Sequence, residues 1–264
     1  MNRLEIHDRA SPNCGHRGDP LRIDTLVLHY TGMTTAEAAL ERLCDPLAKV
    51  SAHYVVEEDG KIWRLVPEDR SAFHAGRSCW EGESDLNGVS IGIEIVNPGH
   101  EWGYRPFPEA QMTSLERLCR NVISNHAVPP HRVVGHSDIA PERKSDPGEL
   151  FDWQRLARAG IGIWPPAGRS FPASQIDSRR ARQNLLAIGY CASPALQTAA
   201  LIAFQRRFRP ACCDGQLDPE TAARLEAVRA AFDRSRGVRV RAHDSLQPAN
   251  VNRAVPDLGG GERG

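Results

Sequence analysis

One loop of this 264-residue chain gathers three chemically distinct side chains, in Gly135-His136-Ser137-Asp138-Ile139-Ala140-Pro141-Glu142-Arg143-Lys144-Ser145-Asp146-Pro147-Gly148. An imidazole, an ammonium and a carboxylate stand at 136, 144 and 146. His136 and Asp146 are both good zinc ligands, and Lys144 beside them can hold a developing negative charge. A turn made only for packing needs none of these groups. Lys144 also stands out by composition: the chain has three lysines, at 49, 61 and 144, against thirty arginines. An ammonium is a compact point charge where a guanidinium is a broad fork, so a lysine in this loop is informative.

A hydrolytic zinc site usually has three protein ligands and a fourth position open to water. The third ligand must come from elsewhere, and His29 is the best candidate. It ends the apolar run Asp24-Thr25-Leu26-Val27-Leu28-His29-Tyr30, and strand ends are where a sheet presents side chains to a site. Taken alone, His29 reads equally as a hydrogen-bonded core histidine. Two His and one Asp would leave the metal a net charge of plus one, acidic enough to lower the pKa of bound water toward ~7. Glu94 is a charge inside the apolar run Ser90–Val96. If Ile91, Ile93 and Ile95 share one face of a strand, Glu94 faces the other. There it could act as general base and then proton donor, or instead form a structural ion pair. His53 and His74 read as groups next to the ligands or in contact with substrate, with a plain structural role the alternative.

These residues need a scaffold. Residues 24–30 and Ser90–Val96 read as buried strands. Tyr54–Glu58 and Lys61–Val66 flank Asp59-Gly60, a strong hairpin signal. His131–Gly135 is a short strand feeding the loop. Helices are expected over Ala36–Cys44, capped by Thr34 or Thr35, over Pro108–His126 and over Leu150–Ala159. The order predicts an α/β domain with a mixed central sheet over residues 1–160. Residues 161–174 are rich in Pro and Gly and read as a linker. Three short helical segments follow at Asp177–Gly189, Pro194–Phe208 and Asp218–Ala231, a small second domain over 175–232. The Arg-rich tail 233–264 is expected to be disordered.

Composition excludes several classes. Hydrophobic content of 41% and charge of 25% describe a globular chain. Net charge is zero, so bulk electrostatics gives no reason to expect nucleic acid as partner. Residues 1–168 carry 18 Lys+Arg against 24 Asp+Glu, and residues 169–264 carry 15 against 9, consistent with two units of separate surface. No apolar run approaches the roughly 20 residues of a membrane span. The first residues lack the apolar core of a signal peptide. The seven cysteines show no C-x-x-C spacing, and a disulfide framework is not expected in a chain this long. Free thiols suit a reducing compartment. These readings place the protein in the cytoplasm, or in the cell envelope if a leader precedes the chain.

The segments LVLHYTG, SAHYVV with EDG, FHAG, SIGIEIVN and GHSDIAPERKSDPG, in this order over residues 24–153, resemble the zinc-dependent N-acetylmuramoyl-L-alanine amidases of the AmpD/AmiD type. That family is related to T7 lysozyme and the peptidoglycan-recognition proteins. The resemblance implies a single zinc ion on His29, His136 and Asp146, Glu94 as catalytic acid/base and Lys144 as the transition-state-stabilising lysine. It also implies that His53, His74 and Asn87 lie near the substrate groove. One departure is Glu142, where the family often has glycine. RQNLLAIGY, LQTAALIAFQRRF and DGQLDPETAARL are similar to a three-helix peptidoglycan-binding domain, with a generic helical cap as the alternative. The implied function is hydrolysis of the amide between the lactyl group of N-acetylmuramic or anhydro-muramic acid and L-alanine. Peptidoglycan or anhydro-muropeptide is the implied substrate, in bacterial wall turnover. Two rival readings are a recognition protein that binds peptidoglycan without cutting it and a zinc peptidase of stem peptides.

Overall fold

Two parallel strands with apolar residues on both faces make the centre of the sheet. They are β3 (Thr25–Tyr30) and β7 (Ser90–Ile95), and such continuous burial is the mark of strands covered on both sides. The computed structural model describes residues 4–18, 21–166, 176–191 and 197–237. Before β3 come the short strands β1 (His7–Asp8) and β2 (Cys14–His16). Between β3 and β7 lie α1 (Ala36–Cys44), β4 (Tyr54–Val56), β5 (Ile62–Arg64), β6 (Arg70–Ala72) and α2 (Leu86–Val89). After β7 come α3 (Gly99–Trp102), α4 (Glu109–His126), a 3-10 turn at Pro130–Arg132, β8 (Val133–Gly135), α5 (His136–Ile139) and α6 (Trp153–Arg158). Three further helices follow: α7 (Ser178–Ile188), α8 (Gln197–Phe208) and α9 (Pro219–Ser235).

The six-stranded sheet runs β1-β5-β4-β7-β3-β8, and β2 pairs with β6 apart from it. β4, β7, β3 and β8 are mutually parallel, whereas β5 is antiparallel to β4. The mixed α/β sheet is therefore as expected, and the Asp59-Gly60 turn makes its hairpin. Thr35 caps α1 by accepting from the Ala38 N–H at 3.2 Å. The small elements β1, β2, β6, α2, α3 and α5 were not foreseen. Each is two to four residues long, too short for a periodic pattern to show.

Alternation sorts each strand between two cores. Leu26, Leu28, Ile91, Ile93, Ile95 and Val133 pack with Met112, Leu115, Leu118 and Val122 of α4. Val27 and Val134, on the opposite face, pack with Trp80, Leu185, Ile188, Phe204, Phe208 and Phe232. The three C-terminal helices thus share a core with the sheet. Of the expected linker, residues 161–166 are described. Ile161 is buried under the α4 side and Trp164 packs on Phe208 at 5.9 Å between ring centroids. Residues 167–174, the start of the expected helix at 194, and the tail beyond Gly237 lie outside the described residues.

One expectation is corrected. Cys79 and Cys191 form a disulfide, with Cα atoms 5.9 Å apart across 112 residues of sequence. Cys14, Cys44, Cys119, Cys212 and Cys213 are free. No local spacing announces this pair, because tertiary packing of the C-terminal helices against the sheet brings the two together.

Candidate metal centre and active-site cavity

The register of the parallel sheet builds the site. His29 lies opposite Glu94 across β3 and β7, and β8, on the other side of β3, ends at Gly135 just before His136. Three strand ends therefore deliver His29, Glu94 and His136 to one edge of the sheet. The loop after α5 returns Asp146, and the Ser137 N–H donates to the Asp146 carbonyl at 2.8 Å. His29 Nδ1 and His136 Nδ1 are 2.9 Å apart, and each is close to Asp146 Oδ2, at 3.1 and 3.0 Å. All three residues are buried, at 1%, 4% and 5% exposure.

The surrounding hydrogen bonds decide what these atoms can do. His136 Nε2 lies 3.1 Å from the Ala75 carbonyl. A carbonyl only accepts, so Nε2 carries the hydrogen and Nδ1 of the neutral ring keeps its lone pair. For His29 the chain is longer. Ser90 Oγ donates to the Leu86 carbonyl and so accepts from His74 Nε2 at 3.1 Å. His74 Nδ1 then accepts from His29 Nε2 at 3.0 Å, which leaves the lone pair of His29 on Nδ1. Two imidazole lone pairs and one carboxylate oxygen converge with no hydrogen assigned among them. Such an arrangement repels itself unless a cation occupies it. Ligands about 2.0 Å from a tetrahedral zinc would be roughly 3.3 Å apart, close to the spacing seen. The donor set fits a divalent metal of zinc type, with the outer ring nitrogens tied as such sites require.

Electrostatics agrees. Burial, then the nearby His136, pulls the His29 imidazole down to about 4. Burial works against ionisation of Asp146, but the two imidazoles beside it outweigh burial and hold the carboxyl below its ordinary range. Glu94 is raised well above an ordinary carboxyl, by burial first and then by the Asp146 charge, with Lys144 opposing. Its Oε2 is buried without a hydrogen-bond partner among the described residues.

Glu94, His136, Lys144 and Asp146 line one cavity of about 360 Å³ together with Tyr30, His74 and Arg143. Tyr30 Oη lies 2.9 Å from Ser145 Oγ, bracing the loop between Lys144 and Asp146. His53 is placed differently. It is wholly buried behind Gly92, whose N–H donates to Nδ1 at 2.9 Å, and Nε2 donates to the Arg70 carbonyl at 3.1 Å. Asn87 does not line the cavity; its Oδ1 accepts from the N–H groups of His74 and Ala75 at 3.1 and 2.8 Å. It thereby sets the segment that orients His29 and His136. The roles of Ser90 and of the Ala75 carbonyl had no sequence signal, since a serine and a backbone oxygen become informative only when a ring nitrogen is seen against them.

The chain matches the family model of N-acetylmuramoyl-L-alanine amidase over residues 19–149. It is 40% identical over 230 residues to the N-acetylmuramoyl-L-alanine amidase AmiD of Escherichia coli, covering 78% of this chain and 82% of that protein. The 1,6-anhydro-N-acetylmuramyl-L-alanine amidase AmpD of Haemophilus influenzae is 32% identical over 163 residues, 55% of this chain and 86% of AmpD. Among solved structures, E. coli AmiD in complex with the substrate anhydro-N-acetylmuramic acid-L-Ala-D-gamma-Glu-L-Lys superposes with TM-score 0.71 at 38% identity, covering 81% of this chain and 91% of that one. AmpDh3 of Pseudomonas aeruginosa with an anhydromuramic pentapeptide gives TM-score 0.70 at 32% identity, covering 83% and 96%. By sequence and fold, the chain belongs to the N-acetylmuramoyl-L-alanine amidase family.

Proposed function

We propose that this protein is a zinc-dependent amidase that cuts the amide between the lactyl group of N-acetylmuramic or anhydro-muramic acid and L-alanine of the stem peptide. The observation that carries the reading is the convergence of His29, His136 and Asp146 beside a half-buried Glu94 in the cavity that also holds Lys144. Two relatives of the same fold are solved with anhydro-muramyl peptides, which supports that substrate class.

His29, His136 and Asp146 would hold one zinc ion, which supplies Lewis acidity toward water and the scissile carbonyl. Burial makes the Glu94 carboxylate a stronger base than an exposed one. It takes the proton of the attacking water and passes it to the departing L-alanine nitrogen. Lys144 faces the same cavity and stabilises the oxyanion of the tetrahedral state. His74 and Asn87 act through the ligands they orient. The C-terminal helices are read as a peptidoglycan-binding unit, on the similarity of their sequence alone. The Cys79–Cys191 disulfide favours an oxidising compartment, hence the cell envelope, over the cytoplasmic placement expected from the thiols. No helix among the described residues is long and apolar enough to cross a membrane.

The test is metal analysis of the purified protein joined to mass spectrometry of a digested muropeptide. About one zinc per chain and release of the intact stem peptide from the sugar are expected. Glu94→Ala should keep zinc and lose turnover. Binding without cleavage by a metal-free protein would favour the recognition reading, and products cut within the peptide would favour a peptidase.

A further inference from the structure

The turn that carries His136 is held by a buried carboxylate whose partners come from the C-terminal helices. α5 begins at His136, and Asp138 Oδ2 accepts from the Gly135 N–H at 2.8 Å, closing the turn. The same Oδ2 accepts from Arg207 Nη1 of α8 at 2.7 Å, and Oδ1 accepts from the Tyr190 hydroxyl, just past α7, at 2.6 Å. Asp138, Arg207 and Tyr190 are 1%, 2% and 1% exposed.

Arg207 is itself fixed in place. Nη2 donates to the Val133 carbonyl at 3.0 Å, and the guanidinium lies 4.1 Å from the ring centre of Trp153. It therefore grips β8 at Val133 and the turn at Asp138, on either side of Gly135-His136. The far end of the turn is fastened to the same helical unit by another route. The Cys79 N–H donates to the Ile139 carbonyl at 2.8 Å, and Cys79 is bonded to Cys191, the neighbour of Tyr190.

A tethered binding module needs no buried ion pair reaching into the metal loop. Burying a charge pair is costly, so this one implies a task at the junction. The structure assigns Tyr190 and Arg207 as positioning residues of the amidase site: through Asp138 they set the backbone that aims His136 at the metal. This rests on the reading that His29, His136 and Asp146 hold zinc. In this protein the C-terminal helical unit is then part of the metal site's frame, whatever else it binds.

The test uses the full-length protein. Zinc affinity is measured by competition with a chromogenic chelator, the site geometry from the visible absorption of the cobalt-substituted protein, and kcat and KM on an anhydro-muropeptide. Arg207→Met and Tyr190→Phe are each expected to weaken zinc binding by roughly 10-fold, the lower end of the effect of removing a group bonded to a ligand itself, because they act one bond further out through Asp138. The cobalt spectrum should shift, and kcat should fall with KM little changed. Arg207→Lys should recover part of the loss. Arg180→Met, which removes an exposed pair with Glu226 elsewhere in the helical unit, should change none of these readouts. If Arg207→Met does not fold, Tyr190→Phe decides, because it removes one hydroxyl and keeps the ring. Folded variants with wild-type zinc affinity and cobalt spectrum would overturn the assignment alone. A wild-type protein that takes up no zinc would overturn the metal reading, and this inference with it.

Discussion

Gly92 is the position where a single methyl group should damage the proposed metal site without touching His29, His136 or Asp146. It sits on β7, which lies between β4 and β3 and also carries Glu94. A Cβ built there would lie 2.4 Å from Cγ of His74 and 2.6 Å from its Nδ1. Non-bonded carbon atoms need about 3.5 Å, so the ring would have to retreat by about an ångström. The ring is held between Ser90 and His29, so it cannot retreat without breaking those bonds. Gly92→Ala should therefore cost about 1–3 kcal/mol from overpacking. At this chain length that is a fall in Tm of roughly 2–12 °C. Moving His74 also breaks the bond that fixes the His29 tautomer, so zinc affinity should fall by roughly 10–100-fold. Thermal melts and chelator competition measure the two effects. A double-mutant cycle isolates the cause, since adding Gly92→Ala to His74→Ala removes the clash. In that background the methyl should be nearly neutral, a strongly non-additive result. Wild-type Tm and zinc affinity in Gly92→Ala, or an equal cost in both backgrounds, would refute the reasoning.

Lys144→Ala should lower kcat by about 10²–10³-fold with zinc content unchanged, the scale of losing one oxyanion-stabilising group; a zinc-loaded variant with unchanged kcat would remove that role. The buried His53 is lowered to about 3 by burial first and then by the Arg17 charge, so between pH 6.5 and about 3 the unfolded chain binds a proton that the folded one does not. Stability should thus fall as pH drops through that window, and His53→Gln should reduce the slope by about 1.4 kcal/mol per pH unit in denaturant titrations with chelator present. Cys191→Ser opens a cross-link spanning 112 residues of sequence, and should cost about 2–5 kcal/mol in chemical denaturation. An unchanged midpoint in that variant would show that the bridge is absent in solution.

Much of the site was legible because its residues break the local pattern. His29 and Glu94 are polar groups in strands otherwise apolar, where burial must be justified. The alternation placing Ile91, Ile93 and Ile95 against α4 and Glu94 toward the cavity follows from the period of two. His53 and Asn87 were less legible. Both sit in the expected segments, but a sequence motif does not say whether a side chain faces the cavity or braces the wall behind it. The structure puts His53 against the Gly92 backbone and Asn87 beneath His74.

Local pattern along the chain specifies the elements and the chemical types available to the site: strands of period two, helices with apolar stripes, and a loop rich in ligand chemistry. These depend on neighbours within a few residues. That His29 and His136, 107 residues apart, meet at 2.9 Å is a matter of the folded sheet, since it depends on β8 and β7 flanking β3 in register. Tertiary packing alone decides that Asp138 is claimed by Arg207 and Tyr190, and that Cys79 pairs with Cys191. Those contacts arise where one packed unit meets another, and a meeting of surfaces leaves no periodicity in the chain.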